Sequence, residues 1–223
     1  MNAIEDILRE LRRHADPTHR EGMARFGINT RTALGISIPT LRKLARPLRR
    51  QHETARALWQ TDIHEARLLA SMIDDPRLVT SAQMETWVAD INSWDLCDQL
   101  CINLFCHTPH AYAKARQWHR KKPEYTRRTG YVLMAALAVH DKEATDADFI
   151  PFLAALHHGA TDSRNFVKKA VNWALRQIGK RNPALQQRAT QLARELLEMD
   201  DPAARWIARD ALREFAQLRN RRQ

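Results

Sequence analysis

Asn165-Phe-Val-Lys-Lys-Ala-Val-Asn-Trp173-Ala-Leu-Arg-Gln-Ile-Gly-Lys-Arg-Asn-Pro183 is the stretch on which the fold turns. Phe166, Ala170 and Trp173 sit three and four residues apart, the spacing that gathers side chains onto one face of an α-helix. Lys168, Lys169, Arg176 and Lys180 occupy other positions of the same stretch. Pro183 then opens a further helix, because proline in a first turn loses no intrahelical hydrogen bond. The segment predicts an amphipathic helix over 162–178 followed directly by another over 183–198.

The same grammar runs outward in both directions. Toward the C-terminus a last helix is expected over 202–218. Toward the N-terminus, Ile4, Ile7, Leu8 and Leu11 mark a first helix that stops before Asp16-Pro17, and a second covers 17–26. Gly27 and Gly35 bracket a loop to Ser37, and Ile38-Pro39-Thr40 opens a third helix. Others are expected over 53–59, 62–73, 82–91, 93–105 (with Ser93 as N-cap), 109–120, 123–139 and 148–157. Only 6 glycines interrupt the 223 residues, and β-branched runs are nearly absent. Good helix formers dominate instead.

A faint repeat joins these helices. Trp94-x-x-x-Asp98, Glu124-x-x-x-Arg128, Asn165-x-x-x-Lys169 and Arg205-x-x-x-Arg209 recur at spacings of 30 to 41 residues. Such a period fits HEAT-like helix pairs, each of which buries its apolar face only by stacking on its neighbours. The expected architecture is all-α: a right-handed superhelical stack of antiparallel helix pairs, one domain over 1–223, its last few residues frayed.

Lys and Arg number 36 against 26 Asp and Glu, a formal charge of +10. An excess of this size attracts polyanions. Arg127, Arg128, Lys168, Lys169, Arg176, Lys180, Arg181, Arg205 and Arg209 fall near the beginnings and ends of later helices. If those turns line one concave face, the cations form a groove that follows a phosphate backbone. Solvated helix surfaces are the competing reading. The amphipathic, acidic start lacks the apolar run of a signal peptide, and no segment has the uninterrupted apolar length of a membrane helix. Three cysteines give no disulfide framework, which suits a reducing cytosol.

On the helix expected after Ser93, Leu96, Cys97, Leu100 and Leu104 form an apolar stripe. Trp94 and Asp98 stack one turn apart on a different side, with Cys101 and Phe105 at its edge. A carboxylate beside an indole suits a groove better than a core. Cys97, Cys101, Cys106 and His107 also invite a zinc site, but the spacing lacks a paired Cys-x-x-Cys and reads better as buried thiols. No metal is expected.

Ser93-Trp-Asp-Leu-Cys-Asp98 and the opening stretch, together with Met23-Ala-Arg-Phe26, Leu34-Gly-Ile36 and Arg127-Arg-Thr129, resemble the bacterial DNA alkylation repair family, the AlkD-like HEAT-repeat DNA glycosylases. The resemblance spans nearly the whole chain, although the region before Trp94 is shorter than the family's. It implies excision of N3- and N7-alkylated purines from double-stranded DNA, with no cofactor, by a cytoplasmic, nucleoid-associated monomer. It also implies the site. Trp94 and Asp98 match the family's Trp-x-x-x-Asp pair, Arg128 its arginine, and Trp173 its second tryptophan. Arg127, Lys168, Lys169, Arg176, Lys180, Arg205 and Arg209 are the expected DNA contacts. A non-catalytic protein for distorted or branched DNA, and a helical scaffold for other proteins, remain as alternatives.

Overall fold

The computed structural model describes residues 3–220; the terminal cations Arg221 and Arg222 lie outside them. The described residues form helices and no strands, in two compact units divided between His110 and Ala111. The first holds α1 (Ala3–Arg13), α2 (Pro17–Arg25), α3 (Ile38–Ala45), α4 (His52–Trp59), α5 (His64–Ile73), α6 (Ser81–Ala89) and α7 (Trp94–Asn103). The second holds α8 (Ala111–Trp118), α9 (Glu124–His140), α10 (Asp146–Gly159), α11 (Asn165–Lys180), α12 (Pro183–Glu198) and α13 (Pro202–Asn220).

Helix starts follow their capping chemistry. The Asp16 carboxylate accepts from His19 N at 2.9 Å, and Asn182 Oδ1 accepts from Leu185 N at 2.9 Å. Thr145 and Asp148 form a reciprocal capping box at α10. Proline stands in the first turn of α2, α3 and α12, where it costs no hydrogen bond. Two short 3₁₀ turns, at Arg46–Leu48 and Phe105–His107, were not expected from the apolar pattern.

In the first unit, α5 packs on α3, α4 and α7; in the second, α11 packs on α9, α10, α12 and α13. The stacking is written in the hydrogen bonds. Arg31–Asp62, Leu34–Glu65, Trp59–Asp90 and His64–Asp95 each join residues 31 apart. Arg128–Phe166, Asn172–Asp210 and Arg176–Glu214 each join residues 38 apart. A contact that recurs at a fixed sequence offset marks helix pairs stacked in register, as in a helical repeat.

Each unit is pinned by a few polar residues inside an aliphatic core. Trp59 and Trp87 stack at 4.1 Å, Arg67 lies 5.3 Å from the Trp59 ring, and Trp59 Nε1 donates to Asp90 at 2.8 Å. The fully buried Glu65 carboxylate accepts from Leu34 N and Gly35 N, both at 2.7 Å, and from Ile36 N at 3.2 Å. Gly35 has φ +85°, and a Cβ there would meet the Asp16 carbonyl at 2.1 Å, so the turn requires glycine. In the second unit, Arg181 donates to the carbonyls of Ala138, Asp141 and Ala144, closing the C-terminal end of α9.

The units differ in charge. Residues 111–223 contain 22 Lys and Arg against 12 Asp and Glu, whereas residues 1–110 contain 14 of each. The entire formal excess therefore belongs to the second unit.

Candidate functional site

In the first unit the site is built on the start of α7. Ser93 is buried, and its hydroxyl donates to Asp95 Oδ1 at 2.6 Å. The other Asp95 oxygen lies 2.8 Å from Nε2 of His64, a buried imidazole at the start of α5. Burial works against the charged form of both partners. The mutual hydrogen bond and charge prevail, so the imidazole titrates above its ordinary 6.5 and the carboxyl below its ordinary 3.8. This ion pair fixes the beginning of α7 to the neighbouring repeat.

Leu96, Cys97, Leu100 and Cys101 fill the core side of α7, which leaves Trp94 and Asp98 partly exposed one turn apart. The Trp94 indole N–H donates to the Phe26 carbonyl at 2.9 Å, and the Phe26 ring is 71% exposed. Although their spacing predicts it, Cys101 and Phe105 do not edge this face. Both are fully buried: Cys101 lies on the core side of α7, and Phe105 falls in the 3₁₀ turn that follows once the helix ends at Asn103. Cys97, Cys101 and Cys106 are buried thiols, and burial followed by the adjacent Cys97 raises the Cys101 thiol well above its usual value. Among the described residues, no group of three or more His, Cys, Asp or Glu could hold a metal ion.

In the second unit, Arg128 lies one turn into α9 and is only 4% exposed. Its Nη1 donates to the Phe166 carbonyl at 2.5 Å, tying α9 to the first turn of α11. Arg127 Nε lies 3.3 Å from Asp162, which also binds Arg164 through both carboxylate oxygens. Although burial opposes it, these two arginines hold the Asp162 carboxyl below its ordinary value.

Trp173, expected on the apolar stripe of α11, is partly exposed. With the Gln177 amide turned to satisfy its neighbours, the oxygen accepts from Trp173 Nε1 at 3.0 Å and from Lys180 Nζ at 3.1 Å. Lys180 also reaches Glu214 at 2.9 Å, and Arg176 bonds both Glu214 and Asp210. Asn172 completes the ladder by donating to Asp210 at 2.7 Å. Trp173 is thus oriented by a polar lattice between α11 and α13. Two expected DNA contacts, Arg176 and Lys180, carry carboxylate partners there.

The remaining cations lie elsewhere on the unit. Lys169 and Arg209 are exposed, and Arg205 pairs with Asp200 at 3.1 Å. Lys168 Nζ lies 5.0 Å from the ring centroid of Trp206. Phe26 and Trp206 were not among the expected site residues. Their signal was available for Trp206: it interrupts the Ala204, Ile207, Ala208, Ala211 stripe and stands between Arg205 and Arg209.

These stacked helix pairs define a HEAT-like repeat protein. A solved structure described as "a new family of proteins related to the HEAT-like repeat DNA glycosylases with affinity for branched DNA structures" has the same fold, with a TM-score of 0.78. The match covers 95% of this chain and 94% of that one at 17% identity. The model of the DNA alkylation repair enzyme family matches residues 7–215, and the chain belongs to that family. No curated protein matches it. Among the described residues, no helix is long and apolar enough to cross a membrane.

Proposed function

We propose that the chain is a monofunctional DNA glycosylase for N3- and N7-alkylated purines in duplex DNA. The observation that carries the reading is the family match across residues 7–215, in a chain that keeps the partly exposed Trp94–Asp98 pair on α7. Alkylation at N3 or N7 makes the purine cationic, so its bond to C1′ is already weak. That bond breaks with its electron pair leaving on the base, which departs as a neutral purine. The sugar is left oxocarbenium-like, and the Asp98 carboxylate stabilises that charge or orients the water that attacks C1′. The proton lost by the water passes to Asp98 or to solvent. In the first unit Trp94 presents an aromatic face to the deoxyribose; in the second, the family resemblance gives Trp173 an aromatic contact to the nucleotide and Arg128 a phosphate. Arg127, Lys168, Lys169, Arg176, Lys180, Arg205 and Arg209 supply backbone attraction. Because the damaged bond supplies its own lability, no pocket for an extruded base is needed, unlike enzymes that flip their target. The protein acts as a monomer on DNA in the cytoplasm.

A second reading, binding of branched DNA without excision, is favoured by the similar structure's described affinity. Incubating the protein with methylated duplex and measuring released 7-methylguanine and 3-methyladenine separates the two. Release supports the glycosylase. No release, together with tighter binding of a branched junction than of a linear duplex, supports the second reading.

A further inference from the structure

Trp206 is 39% exposed, and it and Phe26 are the exposed aromatic side chains among the described residues. It lies on the second turn of α13, off the stripe of Ala204, Ile207, Ala208, Ala211 and Phe215 that packs inward. Nothing in the core accounts for so large an apolar side chain there. Cations flank it, and the one carboxylate a turn further on, Asp210, is already bonded to Asn172 and Arg176. Lys168, from the neighbouring helix α11, places its ammonium 5.0 Å from the ring centroid. Arg205 precedes it and the exposed Arg209 follows within a turn, in the unit that carries the whole net charge. A basic surface alone needs phosphates only. An indole set among cations adds a flat π-face that pairs inside a duplex, already stacked on both sides, cannot use. An unpaired base can.

We propose that Trp206, with Lys168 and Arg209, forms a stacking contact for an unpaired nucleotide of DNA, distinct in residues from Trp94, Asp98, Arg128 and Trp173. The proposal rests on the reading of this chain as a DNA-binding protein. Trp206 stacks on the base while Lys168 and Arg209 neutralise its flanking phosphates, so the contact is tolerant of sequence and selective for unpaired strand. It would favour DNA whose ends, gaps or branches leave bases without partners.

Fluorescence anisotropy with a labelled duplex ending in a short unpaired tail, and with the same duplex blunt-ended, tests this in the full chain. Trp206→Leu keeps apolar volume without the ring, and Trp206→Phe keeps a ring. The expected result is that wild type prefers the tailed duplex. Trp206→Leu should lose about tenfold on the tailed DNA and less than about twofold on the blunt, while Trp206→Phe retains most of the preference. Lys168→Ala should weaken both. Equal loss on both DNAs, or none, in a Trp206→Leu protein that melts like wild type overturns the stacking contact and leaves the DNA reading standing. If wild type binds neither DNA in a salt-dependent way, the DNA reading fails and the stacking contact falls with it.

Discussion

Asp98 and Arg128 occupy opposite environments, and their variants should fail differently. Arg128 is almost wholly buried and bonded to the Phe166 carbonyl, so Arg128→Ala removes a charged donor from the junction of α9 and α11. A loss of about 2 kcal/mol of stability should accompany weaker DNA binding, read by urea denaturation and by titration with duplex. A variant as stable as wild type would show that the bond to Phe166 contributes nothing. The His64–Asp95 pair makes a pH-dependent prediction. A raised imidazole contributes stability that is present below 6.5 and lost as pH rises through its folded value. A depressed carboxyl contributes stability that is present above 3.8 and lost on acidification. The melting-temperature gap between wild type and His64→Gln should therefore be widest between those values and narrow above pH 6.5. A gap that widens as pH rises contradicts the assignment.

At the scale of elements, helix existence was legible because apolar spacing and capping residues agree along the chain. The partners those helices choose were not. Trp94 and Phe26 are 68 residues apart, and no local pattern tells an indole which carbonyl it will meet. Glu65 looks in sequence like one more charge on a helix, yet it holds three backbone amides of the turn at residues 34–36. Arg176 and Lys180 read as DNA contacts because their carboxylates lie one repeat away on α13. Removing the charge in Glu65→Gln should cost about 2–3 kcal/mol, measured as a lower urea midpoint. Helix approach is as demanding. A Cβ on Gly130 would stand 2.3 Å from the backbone nitrogen of His119, so Gly130→Ala must push α8 from α9. We expect a cost of about 1–3 kcal/mol, and an unchanged melting temperature would show that the two helices are not held so close.

At the scale of the molecule, the neutral first unit and basic second unit divide the work the proposed function requires. The carboxylate chemistry assigned to Asp98 belongs to a unit without net charge, whereas the expected phosphate contacts all lie in the unit that carries the excess. Affinity for undamaged duplex should fall steeply with salt. Lys169→Ala and Arg209→Ala should each reduce the slope of log affinity against log salt by about 1. Arg176→Ala should change it less, because Glu214 and Asp210 already balance that charge. Equal changes from all three would mean that the carboxylates yield their partner to phosphate.

Single-turnover release of 7-methylguanine from methylated duplex, wild type against Asp98→Asn, reaches the central claim most directly, with DNA affinity measured on the same preparations. The account predicts release by wild type, a loss of about a hundredfold or more in Asp98→Asn, and affinities within about threefold of each other, because amide and carboxylate fill the same space on α7. Excision undiminished by Asp98→Asn, or no excision by a wild-type protein that binds the duplex, would contradict it.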